Sequence, residues 1–251
     1  MDLGTVPSMS EAPELEAFPE DWERALAVVA HPDDLEYGSA SAIARWTDQG
    51  RWVGYVLATS GEAGIDGMAP AEAGPLREAE EIASAAEVGV DTIEFLGLAD
   101  GTLTYGLDLR REIAAAIRRH RPEIVLSINY RWSWGGPSVN MADHRVLGEA
   151  LIDAVRDAGN RWVFTDLVDE GLEPWNGVRL AAFNGSPEAT HTVDVTGYLA
   201  RGIASLERHR AYLAGLGDGA TQAADVITPA AEATGARIGV EHAVAFEVLA
   251  L

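Results

Sequence analysis

The chain has 251 residues, close to half of them apolar, which suits one large α/β domain with at most a small appendage. Its formal net charge of −22 makes phosphate backbones and anionic membranes poor partners, so nucleic acid is not expected as a ligand. There is no cysteine, which removes disulfides, thiolate nucleophiles and cysteine-bound zinc together.

Residues 1–21 read as a loosely held acidic arm, with Glu11, Glu14, Glu16 and Glu20 among Pro7, Pro13 and Pro19. The arm lacks the basic and apolar regions of a signal peptide. Residues 22–251 are expected to form a single domain. No apolar run approaches the roughly 18 residues of a membrane span, so a soluble cytoplasmic protein is expected.

Residues 25–30 predict a buried parallel strand that stops at His31-Pro32-Asp33-Asp34. Residues 38–49 predict a helix of small residues able to approach a sheet closely, and 52–59 a second strand, completing a βαβ unit. The glycine-rich stretch 60–74 has neither dinucleotide nor P-loop spacing; it reads as a mobile surface loop or a lid. Residues 76–88 predict a helix with its apolar stripe at positions 79, 82, 83 and 86. A strand over 92–98, a helix over 109–120 and a buried strand over 123–128 follow.

The loop 129–140 carries Tyr130, Trp132 and Trp134 among glycines. Such aromatics either pack over the core or at a subunit contact, or wall a substrate pocket where a ring face suits a sugar. Asp143-His144-Arg145 open the next helix. Beyond it, residues 161–164 predict a strand, 166–174 an acidic loop, 178–183 and 191–195 strands, 198–216 one long helix, then a short helix, and 240–248 a closing strand. This order predicts a Rossmann-like, doubly wound, mostly parallel α/β sheet with helices on both faces.

In such a sheet ligands bind beyond the carboxyl ends of the strands, which is where His31, Asp33 and Asp34 fall. Imidazole plus carboxylate is a donor set that suits Zn²⁺, and the spare carboxylate of Asp33 is free for proton transfer. His144 follows another strand-end loop, with Asp143 beside it to orient an imidazole. Of the other histidines, His120 reads as structural and His209, in a charged helix face, as solvated. His191 and His242 lie in C-terminal strands that could bring either to the metal.

Ala30-His31-Pro32-Asp33-Asp34 followed by Asp143-His144-Arg145 resembles the PIG-L/LmbE-like family of zinc-dependent N-deacetylases, over about residues 24–165. The resemblance implies that His31, Asp34 and His144 hold one Zn²⁺ or another divalent transition metal. It makes Asp33 the general base, matches Asp143 to a catalytic aspartate of the second motif, and makes Arg77 and Asp100 substrate contacts. It also implies a small-molecule substrate, an N-acetylglucosamine-type conjugate that loses its acetyl group. Two departures stand out: Leu35 intervenes before Glu36, and Met141 occupies a position where many members carry a histidine that acts as acid. A larger amide as substrate, a non-catalytic metal- or sugar-binding module, and a homo-oligomer stay open. Without the histidine, the leaving amine's proton must come from Asp33 acting twice, or from His191 or His242.

Overall fold

The computed structural model describes residues 14–217 and 222–251. Its strands are β1 (Glu16–Ala17), β2 (Arg24–Val29), β3 (Trp52–Thr59), β4 (Ile93–Leu98), β5 (Ile124–Ile128), β6 (Leu180–Asn184), β7 (His191–Asp194) and β8 (Ala243–Ala250). They form one sheet in the order β1-β7-β8-β6-β5-β2-β3-β4. All neighbours are parallel except β8, which runs against both β6 and β7. The helices are α1 (Ala40–Asp48), α2 (Pro70–Glu87), α3 (Leu107–His120), α4 (Ala142–Gly159), α5 (Thr165–Asp169), α6 (Leu199–Leu206), α7 (Arg210–Gly215) and α8 (Ala223–Ile238).

The central strands are nearly continuous apolar runs because helices cover both faces of the sheet. Ala25, Leu26, Ala27 and Val28 of β2 are fully buried. One core layer gathers Trp46, Tyr55, Leu57 and Phe246 beneath α1 and α2; the other gathers Ile113, Ile117, Leu147 and Leu151 of α3 and α4. Chain order reverses between β2 and β5, which pair side by side. The crevice of a doubly wound sheet opens at that reversal.

The doubly wound sheet matches expectation, but several local readings do not. Residues 161–164 form turns rather than a strand, and the acidic stretch after them contains α5. The long helix expected over 198–216 is broken at residues 207–209 into α6 and α7. The largest difference is the face that α2 buries. Ala79, Ile82, Ala83 and Ala86 are exposed, Ile82 by 52%, while Arg77, Glu80, Glu81 and Ser84 are buried. A helix that exposes isoleucine and buries charge is positioned by partners for those charges, not by transfer of apolar surface.

Of the expected acidic arm, residues 1–13 lie outside the described residues. The remainder is held: β1 pairs with β7, and Phe18 is buried against Trp46 and Phe246 with ring centroids 5.3 and 5.4 Å away. No helix among the described residues is long and apolar enough to cross a membrane. Phe18→Ala is expected to cost about 3 kcal/mol in denaturant unfolding, as for other buried Phe→Ala changes. A loosely held segment would lose less than about 0.5 kcal/mol.

Candidate metal centre and active site

The chain turns sharply where β2 ends. Asp34 Oδ2 accepts the N–H groups of Ala30 at 3.0 Å and His31 at 2.9 Å, which fixes its carboxylate. Its Oδ1 faces Nε2 of His144 at 2.9 Å. His144 stands in the first turn of α4, and its Nδ1 donates to Asn140 Oδ1 at 2.9 Å. The Asn140 amide has one orientation, because its Nδ2 donates to the carbonyls of Asn129 and Arg131. Asn140 therefore sets the Nδ1–H tautomer of His144 and turns the Nε2 lone pair toward Asp34.

His31 is fixed from the other side. Its Nε2 lies 3.1 Å from Asp100 Oδ1 and 3.3 Å from Asp143 Oδ2, and carboxylates only accept. Its Nδ1 is turned toward Asp34 Oδ2, 3.6 Å away. Asp143, fully buried, also accepts the N–H groups of Gly101 and Leu103 at 2.8 and 3.1 Å. It stands behind His31, where it orients the ring.

Ligand atoms of His31, Asp34 and His144 thus lie within 4.8 Å of one another, all buried. Two imidazoles and a carboxylate gathered this closely make a donor set that fits a divalent metal. The electrostatics point the same way. Burial disfavours a charged His31, yet Asp34, Asp100 and Asp143 push it up to about 12. Burial likewise disfavours ionised Asp34, but the His144 and His31 imidazoles hold its carboxyl well below the usual range. The site draws positive charge, which two imidazoles and a carboxylate would share with an ion.

Asp33 has φ +99°, a left-handed conformation that costs a non-glycine residue about 1–3 kcal/mol. The turn aims its carboxylate into the cleft, where Arg77 Nη2 donates to Oδ2 at 3.0 Å and Tyr212 lines the same cleft. Burial, then the neighbouring Asp34 carboxylate, pushes Asp33 up to about 6, against the opposing pull of Arg77. Arg77, expected as a substrate contact, borders the cavity and is bonded to Asp33 and to the carbonyls of Gly61 and Pro32. The glycine-rich stretch is wrapped onto this side chain. A Cβ at Gly61 or Gly64 would stand 2.2 or 2.4 Å from its Nη1.

These groups line a cavity of about 360 Å³. Asp100 borders it while bonded to His31 and to the N–H of Ala63. Trp134 forms one wall, edge-on to His144 at 5.9 Å. Trp132 does not line it; it is 68% exposed, with the Arg145 guanidinium over its ring. Met141 does line it, so a thioether sits where the resemblance led one to look for an acid.

Neither C-terminal histidine borders the cavity. His191 lies at the β1–β7 edge, bonded to Thr190 and 3.9 Å from Glu16, and the backbone N–H of His242 bonds Thr196 at the β7–β8 end. His120 stacks on Trp52 and bonds Glu94, a structural role as expected. His209 reverses its reading: it is fully buried, 3.6 Å from Glu81 and 3.9 Å from Glu36. The sequence held a sign of this. His209 continues the stripe of Leu199, Ile203, Leu206 and Leu213 at helical spacing, so it belonged on the inward face. Tyr212, missed as a cavity residue, follows one turn later.

A family model described as PIG-L, GlcNAc-PI de-N-acetylase, matches residues 26–155. The chain is 33% identical over 195 residues to diacetylchitobiose deacetylase of Thermococcus kodakarensis, covering 75% of this chain and 70% of that protein. It is 28% identical over 236 residues to 1D-myo-inositol 2-acetamido-2-deoxy-alpha-D-glucopyranoside deacetylase of Mycolicibacterium vanbaalenii, covering 78% and 83% respectively. The solved structure of N,N'-diacetylchitobiose deacetylase from Pyrococcus horikoshii superposes with a TM-score of 0.82 at 25% identity, covering 91% of this chain and 84% of that one.

Metal analysis of the purified chain is expected to find one divalent ion per molecule, and the His144→Ala variant to have lost it. Equal metal in both would remove His144 from the centre.

Proposed function

The chain belongs to the PIG-L family, and from that premise we propose that it is a metal-dependent hydrolase that removes the N-acetyl group of an N-acetylglucosamine-type substrate. The observation that carries the reading is the juxtaposition, in one cavity, of the His31, Asp34 and His144 donor set with the unligated carboxylate of Asp33. A zinc ion held by those three side chains would supply Lewis acidity, acidifying water to a pKa of about 7 and withdrawing charge from an amide carbonyl.

Asp33 carries the proton. Water between its carboxylate and the acetyl carbonyl gives a proton to Asp33 and adds to the carbonyl carbon. The carbon–nitrogen bond then breaks, and the departing nitrogen takes that proton back from Asp33. Acetate and a free amino sugar result, with no net proton consumed by the protein. With His191 and His242 outside the cavity and Met141 unable to donate, this double role needs no further acid. Arg77 keeps the Asp33 carboxylate in place through the cycle. Asp143 and Asp100 keep His31 turned to the metal, and Asn140 does so for His144. Trp134 offers an aromatic wall to the apolar face of a sugar ring.

Acetate release from a panel of N-acetylglucosaminides by the zinc-loaded protein tests the activity; release from none would leave a binding module. Asp33→Asn should keep its metal and lose about 10²-fold or more in kcat, because the amide cannot take the proton. His191→Gln and His242→Gln should keep most of kcat. A fall of about 10²-fold in either, with metal and fold intact, would hand the acid role to that histidine. Trp134→Ala should raise KM, whereas Trp132→Ala should leave it unchanged.

A further inference from the structure

Behind Asp33, on the side away from the cavity, lies a second set of charged side chains that the reaction does not use. Glu36 and Glu81 are each 1% exposed and His209 is fully buried. Each is carried by a different part of the chain: Glu36 by the turn after β2, Glu81 by the inward face of α2, His209 by the break between α6 and α7. Glu81 Oε2 accepts the backbone N–H of Asp33 at 3.3 Å. His209 Nε2 approaches the same oxygen at 3.6 Å and Glu36 Oε1 at 3.9 Å, and Ser84 donates to Glu36 at 2.8 Å. Among the described residues, Glu36 Oε2, Glu81 Oε1 and both ring nitrogens of His209 have no hydrogen-bond partner. The segment that bears His209 is docked on α2 by a second glutamate, Glu80, which accepts the N–H groups of Ala211 and Tyr212.

We propose that Glu81 and His209 are positioning residues: Glu81 holds the Asp33 backbone in its left-handed conformation, and His209 holds the Glu81 carboxylate on that task. The conformation needs a holder. Asp33 at φ +99° lacks a glycine's freedom, and its own carbonyl is engaged by the N–H groups of Glu36 and Tyr37. Its N–H donates to Glu81, which is not among the residues that line the cavity. Release of that N–H leaves the Pro32–Asp33 peptide held from its carbonyl side alone, by Arg77, and loosens the alignment of the Asp33 carboxylate. The metal ligands keep their own supports, Asn140 for His144 and the Ala30 and His31 N–H groups for Asp34. The set also accounts for the inverted face of α2. Arg77 reaches the Asp33 side chain and Glu81, one turn on, reaches its backbone, so the helix must turn charge inward. The inference rests on Asp33 as the proton carrier.

The test measures kcat, KM and metal content with one N-acetylglucosaminide that the wild type hydrolyses. Glu81→Met removes the acceptor at similar volume. It should lower kcat by about tenfold to 10²-fold, the cost of a misplaced reacting group, with KM and metal content unchanged. Glu81→Gln keeps a carbonyl oxygen for the Asp33 N–H and should stay within about threefold of wild type. His209→Leu should fall in the same direction as Glu81→Met, and His209→Gln, which keeps an N–H toward Glu81, should recover part of the loss. This second pair decides the matter if Glu81→Met does not fold. Wild-type kcat in Glu81→Met or His209→Leu would overturn the proposal. So would a wild type with two metal ions per chain, one of them lost in Glu81→Met, since the cluster would then be an ion site. If Asp33→Asn is itself active, the proton-carrier reading fails; if Asp33→Asn is inactive and Glu81→Met is not, only the positioning role fails.

Discussion

The carboxylate of Asp34 joins the fold to the chemistry. One oxygen is fastened by two backbone N–H groups at the end of β2, so its position follows from the sheet. The other oxygen faces an imidazole that the next crossover delivers at the start of α4. Parallel pairing of β2 with β5 brings the two together, and the register Ala25 with Ile124 through Ala27 with Leu126 sets how far each strand end reaches. An error of one residue in that pairing would turn the strand faces over and separate His31 from His144.

Such a junction leaves negative charge buried. Asp33, Asp34, Glu36, Glu81 and Asp143 are all under one-tenth exposed. Arg77 is also buried, and with the histidines it offsets part of that charge. The remainder favours a cation at His31, Asp34 and His144. Removal of one partner from a buried charge set costs more than the pair contributes when intact, because the other charge stays behind unpaired. These side chains are therefore coupled, and changes among them should not add.

Much of the centre was legible in sequence. Val28-Val29-Ala30 running into His31-Pro32-Asp33-Asp34 marks a buried strand that ends in donors, and both features are local. His144 was legible because it opens a helix after a strand-end loop. What could not be read is where burial and polarity part company. Apolar periodicity assigns Ile82 inward and Glu81 outward, and the structure does the reverse because Glu81 has a partner in Asp33 more than forty residues away in the chain. His209 went to solvent on the strength of its charged neighbours Glu207, Arg208 and Arg210, against the helical stripe that places it inward. Trp132 and Trp134, two residues apart in one loop, look alike in sequence, yet Trp132 is exposed under Arg145 and Trp134 walls the cavity. His191 and His242 were drawn toward the site by their expected place in strands of the same sheet; sheet order puts β8 and β7 beyond β6, on the far side from β2, and His242 precedes β8.

The chain also orders the assembly of its own site in time. All three proposed ligands lie in the first 144 residues, within the β2-to-α4 stretch, whereas His209 and Tyr212 come from the segment that packs on α2 afterwards. During synthesis the early stretch emerges with its metal donors, Glu36 and Glu81 already in the chain, before His209 and Tyr212 exist. A nascent chain at that stage carries the donor set and the Glu81 acceptor for the Asp33 N–H, but not the His209 that faces Glu81. The late helical segment is what adds His209 and Tyr212 to a site whose donors all come earlier in the chain.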